Sequence, residues 1–98
     1  MIRIIYSWNV TPENLEIFTE TWKKTTNRIH VEVKGARGSF MLKDIEDPYV
    51  IKTIARWDSL EDWKVFWHEN NHGQMHKMHK FGKRVSVEVF EEIEDYTK

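Results

Sequence analysis

The stretch Ile54–Trp67, IARWDSLEDWKVFW, constrains this chain more than any other, because it runs a strand straight into an amphipathic helix. Ser59 is a good N-cap. Glu61 and Asp62 place negative charge in the first turn, where unpaired N–H groups and the helix dipole favour it. Trp63, Phe66 and Trp67 follow at the i, i+3, i+4 spacing of a single apolar stripe. The same order occurs 48 positions earlier, where Thr11, Glu13, Leu15 and Phe18 anticipate Ser59, Glu61, Trp63 and Phe66. Cap, first-turn acid and two apolar anchors therefore recur in one frame, which supports two similar βαβ halves.

The remaining segments fit that frame. Met1–Val10 alternates, with Ile2, Ile4, Tyr6, Trp8 and Val10 on one side, as a half-buried strand does. Thr11 and Pro12 open a helix whose face is Leu15, Phe18, Trp22 and Ile29, and Gly35 stops it. Further strands are predicted over Ser39–Lys43, Tyr49–Trp57 and Arg84–Glu92, the last with Val85, Val87 and Val89 on one face. The order β-α-β-β-α-β predicts an α+β, ferredoxin-like fold with a four-stranded antiparallel sheet. One domain is expected over residues 1–98, with a loose acidic tail from about residue 93. Two helices cover only one sheet face. The other carries either the even or the odd set of strand residues; the expected set mixes Ile5, Ile54 and Phe90 with Arg3, Lys52, Arg56 and Glu88, a surface as suited to a partly polar homodimer interface as to solvent.

Composition excludes several function classes. A formal net charge of −1 gives no basic excess for nucleic acid or an anionic membrane. The absence of cysteine removes thiolate catalysis and Cys-ligated metal chemistry. The run Ile2–Trp8 is too short and too polar-flanked for a signal peptide or membrane span, so a cytoplasmic protein is expected. Neither GxGxxG, a P-loop, GxSxG nor HExxH occurs.

Chemistry is most plausible where tryptophans meet histidines. His68, His72, His76 and His79 would share one stripe on an unbroken helix, but Gly73 interrupts it and no protein-encoded metal site is expected. His30-x-Glu32 is rejected as an iron-binding pair, since i and i+2 diverge on a helix, and His30 is read as a structural group near the last carbonyls. His68 points away from Trp67, and His79 is flanked by lysines. His76, following Met75 and preceding Met78, is the histidine expected at a pocket edge. Helically spaced tryptophans serve as core more often than as ligand walls. Buried indole N–H groups nevertheless need partners, and a small two-layer domain offers few.

The segments Val10-Thr11-Pro12-Glu13, Gly35-Ala36-Arg37-Gly38-Ser39, IARWDSLEDW and the closing SVEVFEE resemble the antibiotic biosynthesis monooxygenase domain of the dimeric α+β barrel superfamily. None of these segments is catalytic. The resemblance implies a homodimer whose sheets pack face to face, with helices outside and a cavity between each sheet and its helices. Relatives include cofactor-free oxygenases of polycyclic phenols or quinols, haem-degrading enzymes, and proteins of no known activity. The haem-degrading members use a histidine after the second helix, which His76 would match, and an earlier tryptophan, matched by the Phe66/Trp67 pair. Their first-strand asparagine has no equivalent in place, because Asn9 lies near the strand's end.

The leading expectation is therefore a monooxygenase needing no cofactor, acting on an aromatic phenol- or quinol-type molecule. His76 or His72 would serve as base, Arg56 would stabilise an oxyanion if its strand face turns inward, and Tyr6, Trp63, Trp67 and Met75 would form the walls. The alternatives are haem binding or breakdown with His76 as axial ligand, and a non-catalytic ligand-binding or dimerisation module.

Overall fold

The computed structural model describes residues 1–70 and 76–97. Strand β1 (Ile2–Asn9) is followed by helix α1 (Leu15–Glu32), strands β2 (Ala36–Lys43) and β3 (Val50–Trp57), helix α2 (Leu60–Val65) and strand β4 (Lys83–Glu91). The sheet order is β2-β3-β1-β4, and every pairing is antiparallel. This is the ferredoxin-like α+β arrangement expected from the sequence.

Alternation along β1 fixes which face is covered. Ile2, Ile4, Tyr6 and Trp8 are buried, while Arg3, Ile5 and Ser7 are less so. The register sets Ile4 against Ala55, Tyr6 against Thr53 and Trp8 against Ile51, so these side chains form the floor beneath the helices. Phe18 of α1 is fully buried, and Trp8 meets it edge-on with ring centroids 5.2 Å apart. Both anchors of the 48-residue echo are core, Phe66 being 2% exposed.

Element ends show local chemistry at work. Ser59 Oγ accepts the Asp62 N–H at 3.1 Å, the N-cap bond expected of it. Thr11 makes no such side-chain bond; a 3₁₀ turn over Pro12–Asn14 precedes α1 instead. The first helix ends at Glu32, short of Gly35, because Val33 is already extended. Gly35 then takes φ +85°, a conformation that side chains resist. The second helix ends at Val65, giving way over Phe66–Asn70 to a π-helical turn. His76–Lys80 forms a 3₁₀ turn that buries Met78.

One strand departs from the simple alternation. A register shift opposite Ser7/Trp8 lets β4 pair Ser7 with Ser86 and Trp8 with Arg84, leaving Val85 as the extra residue. Val87 and Val89 keep the helix-facing register opposite Tyr6 and Ile4, whereas Val85 is 64% exposed. Arg84 takes the covered-face position instead.

Candidate functional site

A cavity of about 50 Å³, partly open to solvent, lies between α1 and the sheet. From α1 come Trp22, Thr25, Thr26, Ile29 and His30. The sheet supplies Tyr6, Thr53, Ala55 and Trp57, with Ala36 and Ser39 at the β2 edge. Phe66 and Met78 close the remaining side. The helical spacing of Trp22, Thr26, Ile29 and His30 turns one α1 face toward this space, and Thr25 adds a buried hydroxyl.

Three residues of the lining are ionisable: Tyr6, His30 and Arg56. Tyr6 is buried, and its oxygen accepts the Trp63 indole N–H at 3.1 Å. Burial pushes the Tyr6 phenol up to about 12, outweighing the opposing effects of the Trp63 bond and the Arg84 charge. The phenol therefore holds its proton at neutral pH. His30 Nδ1 lies 2.9 Å from the Ala36 carbonyl oxygen. A carbonyl only accepts, so Nδ1 carries the hydrogen and Nε2 is left with the lone pair in the neutral ring.

The expected wall residues divide. Tyr6 borders the cavity, but Trp63 and Trp67 stand behind it: their rings stack at 5.4 Å, and Trp67 lies 6.1 Å from Tyr6. The Arg84 guanidinium covers Trp67 at 4.8 Å. Phe66 and Trp57, with centroids 5.2 Å apart, are the aromatic walls instead. The core also partners its indoles: Trp8 Nε1 donates to Thr53 Oγ1 at 3.1 Å, as Trp63 does to Tyr6. No bound ligand is needed to satisfy either group.

The expected polar residues divide as well. Arg56 pairs with Arg3 across β1 and β3, between the inward-facing Ala55 and Trp57, so its side chain leaves on the opposite face. There its Nη2 donates to Glu92 at 3.1 Å, and Arg3 reaches the same carboxylate at 2.8 Å. The inward turn that an oxyanion role for Arg56 requires is not made. His76 does not border the cavity, although Met78 of the same turn does; both His76 and His30 are exposed, and only His30 is in the lining. His72 and Met75 lie outside the described residues. The ring of His79 sits 5.4 Å from Trp8.

Haem does not fit the arrangement of the described residues. The space is far below the several hundred Å³ of an ordinary cofactor pocket, and His76, its expected ligand, is exposed away from the lining. Among the described residues no cluster of three or more His, Asp or Glu side chains could hold a metal ion. No helix among them is long and apolar enough to cross a membrane.

Fold and cavity together define a one-layer sheet covered by two helices, with an apolar pocket beneath the first. The profile of the antibiotic biosynthesis monooxygenase family matches residues 1–78, and the chain belongs to that family. Solved structures agree in fold. A candidate antibiotic biosynthesis monooxygenase from Bordetella bronchiseptica superposes with a TM-score of 0.79 at 15% identity, over 94% of this chain and 96% of that one. A variant of SnoaB, a cofactor-independent oxygenase from Streptomyces nogalater, gives 0.77 at 10% identity, over 99% and 97%. A candidate family member from Deinococcus radiodurans gives 0.76 at 10%, over 100% and 98%. No curated protein matches the sequence.

Proposed function

We propose that this chain is a cofactor-independent monooxygenase acting on an aromatic phenol- or quinol-type small molecule. The observation that carries the reading is the apolar cavity under α1, bordered by a phenol that holds its proton and by an imidazole, in a chain of this family. Dioxygen reacts with closed-shell organic molecules only through an electron-rich anion. Such an enzyme thus needs a base, a shaped space and the exclusion of water. Tyr6, Phe66 and Trp57 supply shape and dryness here, with the Trp63–Trp67 stack behind them. In the reaction one oxygen atom of O2 enters the ring in place of a hydrogen and the other leaves as water. A phenol is thereby oxidised by four electrons to a quinone while O2 is reduced by four.

The protein acts in the cytoplasm as a homodimer through the uncovered sheet face. Phe40, Leu42 and Phe90, each nearly half exposed, lie there beside Ile5 and Ile54. The test is oxygen uptake by chelator-treated protein given a panel of phenols, quinols and anthrones. Uptake with stoichiometric quinone formation supports the reading. No uptake across the panel overturns it and leaves a ligand-binding module.

A further inference from the structure

We infer that His30 is the base of this site and that its ligand is a single-ring phenol, which gives its proton to His30 Nε2 and is held as the anion beside the Tyr6 O–H. The inference rests on the oxygenase reading for its purpose, but its chemistry stands on geometry alone. His30 is in the last turn of α1, and Ala36 opens β2 beyond the Gly35 turn. The 2.9 Å bond between them holds the imidazole by the backbone of a conformationally restricted corner. It also fixes the tautomer, since the hydrogen on Nδ1 is committed to the Ala36 carbonyl and Nε2 is left to accept. A backbone oxygen orienting one ring nitrogen so that the other can take a proton is the arrangement general bases require.

Tyr6 complements it. Its oxygen accepts from Trp63, and among the described residues none accepts its own hydrogen, which leaves that hydrogen to be donated to an anion in the cavity. Because it holds that hydrogen, Tyr6 cannot compete as base.

Size selects the ligand. Empty space of about 50 Å³ takes a few waters and falls short of the ~150 Å³ that admits benzene. A single ring enters if one flexible wall moves, and Met78, unbranched and fully buried in that wall, is suited to it. A fused-ring system would require several rigid aromatics to move. The proton step balances simply: the phenol O–H bond breaks, the Nε2–H bond forms, and no electrons are transferred.

Para-nitrophenol tests this, since only its anion absorbs strongly in the visible. The protein is mixed with the probe at a pH where the free probe is mostly neutral, and binding is followed separately by tryptophan quenching. The wild type should bind it and raise the anion band. His30→Gln should bind the probe yet lower its ionised fraction about tenfold, and His30→Asn, which can still donate to Ala36, should do the same. Tyr6→Phe should weaken binding about fivefold, the value of one hydrogen bond. His76→Ala should behave as wild type. A wild type that fails to bind the probe, or binds it neutral, overturns the assignment. So does an anion band kept in both His30 variants or lost in His76→Ala. Ionisation of the probe without oxygen uptake on any oxidisable phenol supports the base and refutes the oxygenase; uptake with the probe bound neutral does the reverse.

Discussion

The indole N–H of Trp63 donates to the phenol oxygen of Tyr6 across 3.1 Å, tying α2 to the central strand through two buried side chains. The bond satisfies a buried donor and places a protonated phenol at the cavity wall. Tyr6→Phe strands the indole N–H, so it should cost about 1–3 kcal/mol near pH 7 in urea unfolding. A cost below a few tenths would mean that the bond contributes nothing in solution.

The same residue predicts alkaline behaviour. Its folded value, raised by burial to about 12, lies above the ~10 of an unfolded tyrosine. The neutral form is thus favoured by folding. The contribution is complete below about pH 10 and is lost as the pH rises through the folded value, on the order of 2–3 kcal/mol in all. Between those limits wild-type stability should fall faster than that of Tyr6→Phe. Parallel curves would show that the phenol is not buried as described.

Phe18 and Phe66 hold equivalent places on the two helices, and truncating either to alanine should destabilise by roughly 3–5 kcal/mol. They differ in one respect: Phe66 borders the cavity and Phe18 does not. Phe66→Leu should therefore alter the binding of a phenol probe, while Phe18→Leu leaves it unchanged. A probe affinity insensitive to Phe66→Leu would place the ligand elsewhere.

Gly35 has φ +85°, and a Cβ there would run into the Asp62 side chain in the first turn of α2. Gly35→Ala is thus strained in backbone and blocked in space. It should destabilise by well over the ~1 kcal/mol of an ordinary glycine replacement, and Gly38→Ala, with open space around it but φ +92°, by less. Equal denaturation midpoints for the two variants would remove the steric part of the argument.

Arg37 grips Asp58 with two bonds of 2.7 and 3.1 Å and holds its carboxyl below the usual carboxylate range. A depressed folded value means that the stabilisation exists above the unfolded value of ~3.9 and disappears as pH falls through the folded one. Asp58→Asn should lower the urea midpoint slightly near neutrality and not at all at about pH 2. The pair is exposed, so the effect should also shrink in high salt.

Much of this was legible in the residues, and the exceptions have physical causes. Period-two alternation named the covered face of β1, and the repeated cap-acid-anchor frame located both helices. Gly35 is the strong stop signal in the sequence, but Val33 is already extended and α1 ends at Glu32, since β-branched Val31 and Val33 favour extension sooner. Alternation puts Val85 on one face with Val87 and Val89, but a bulge adds one residue that no alternation can announce. At the site, Tyr6 was readable from its parity on β1. His30 was not: its role depends on a carbonyl six residues on, brought back by the Gly35 turn. Parity on β3 sends the Arg56 side chain to the face away from Trp57, and Glu92 from the far end of the chain holds it there.

The uncovered face yields a prediction of assembly. Sedimentation at micromolar concentration should give about twice the 11.9 kDa of one chain, and Phe40→Lys should shift it toward one. A wild type sedimenting as a single chain would contradict the dimer.

The proposed reaction transfers oxygen without a cofactor. Its most direct test is turnover of an oxidisable single-ring phenol under isotopically heavy dioxygen, with metal-free, haem-free protein and mass analysis of the quinone. One heavy atom per product molecule is expected, formed at a rate that falls in His30→Gln. Product carrying only light oxygen, or heavy-atom incorporation no faster than in buffer, would contradict it.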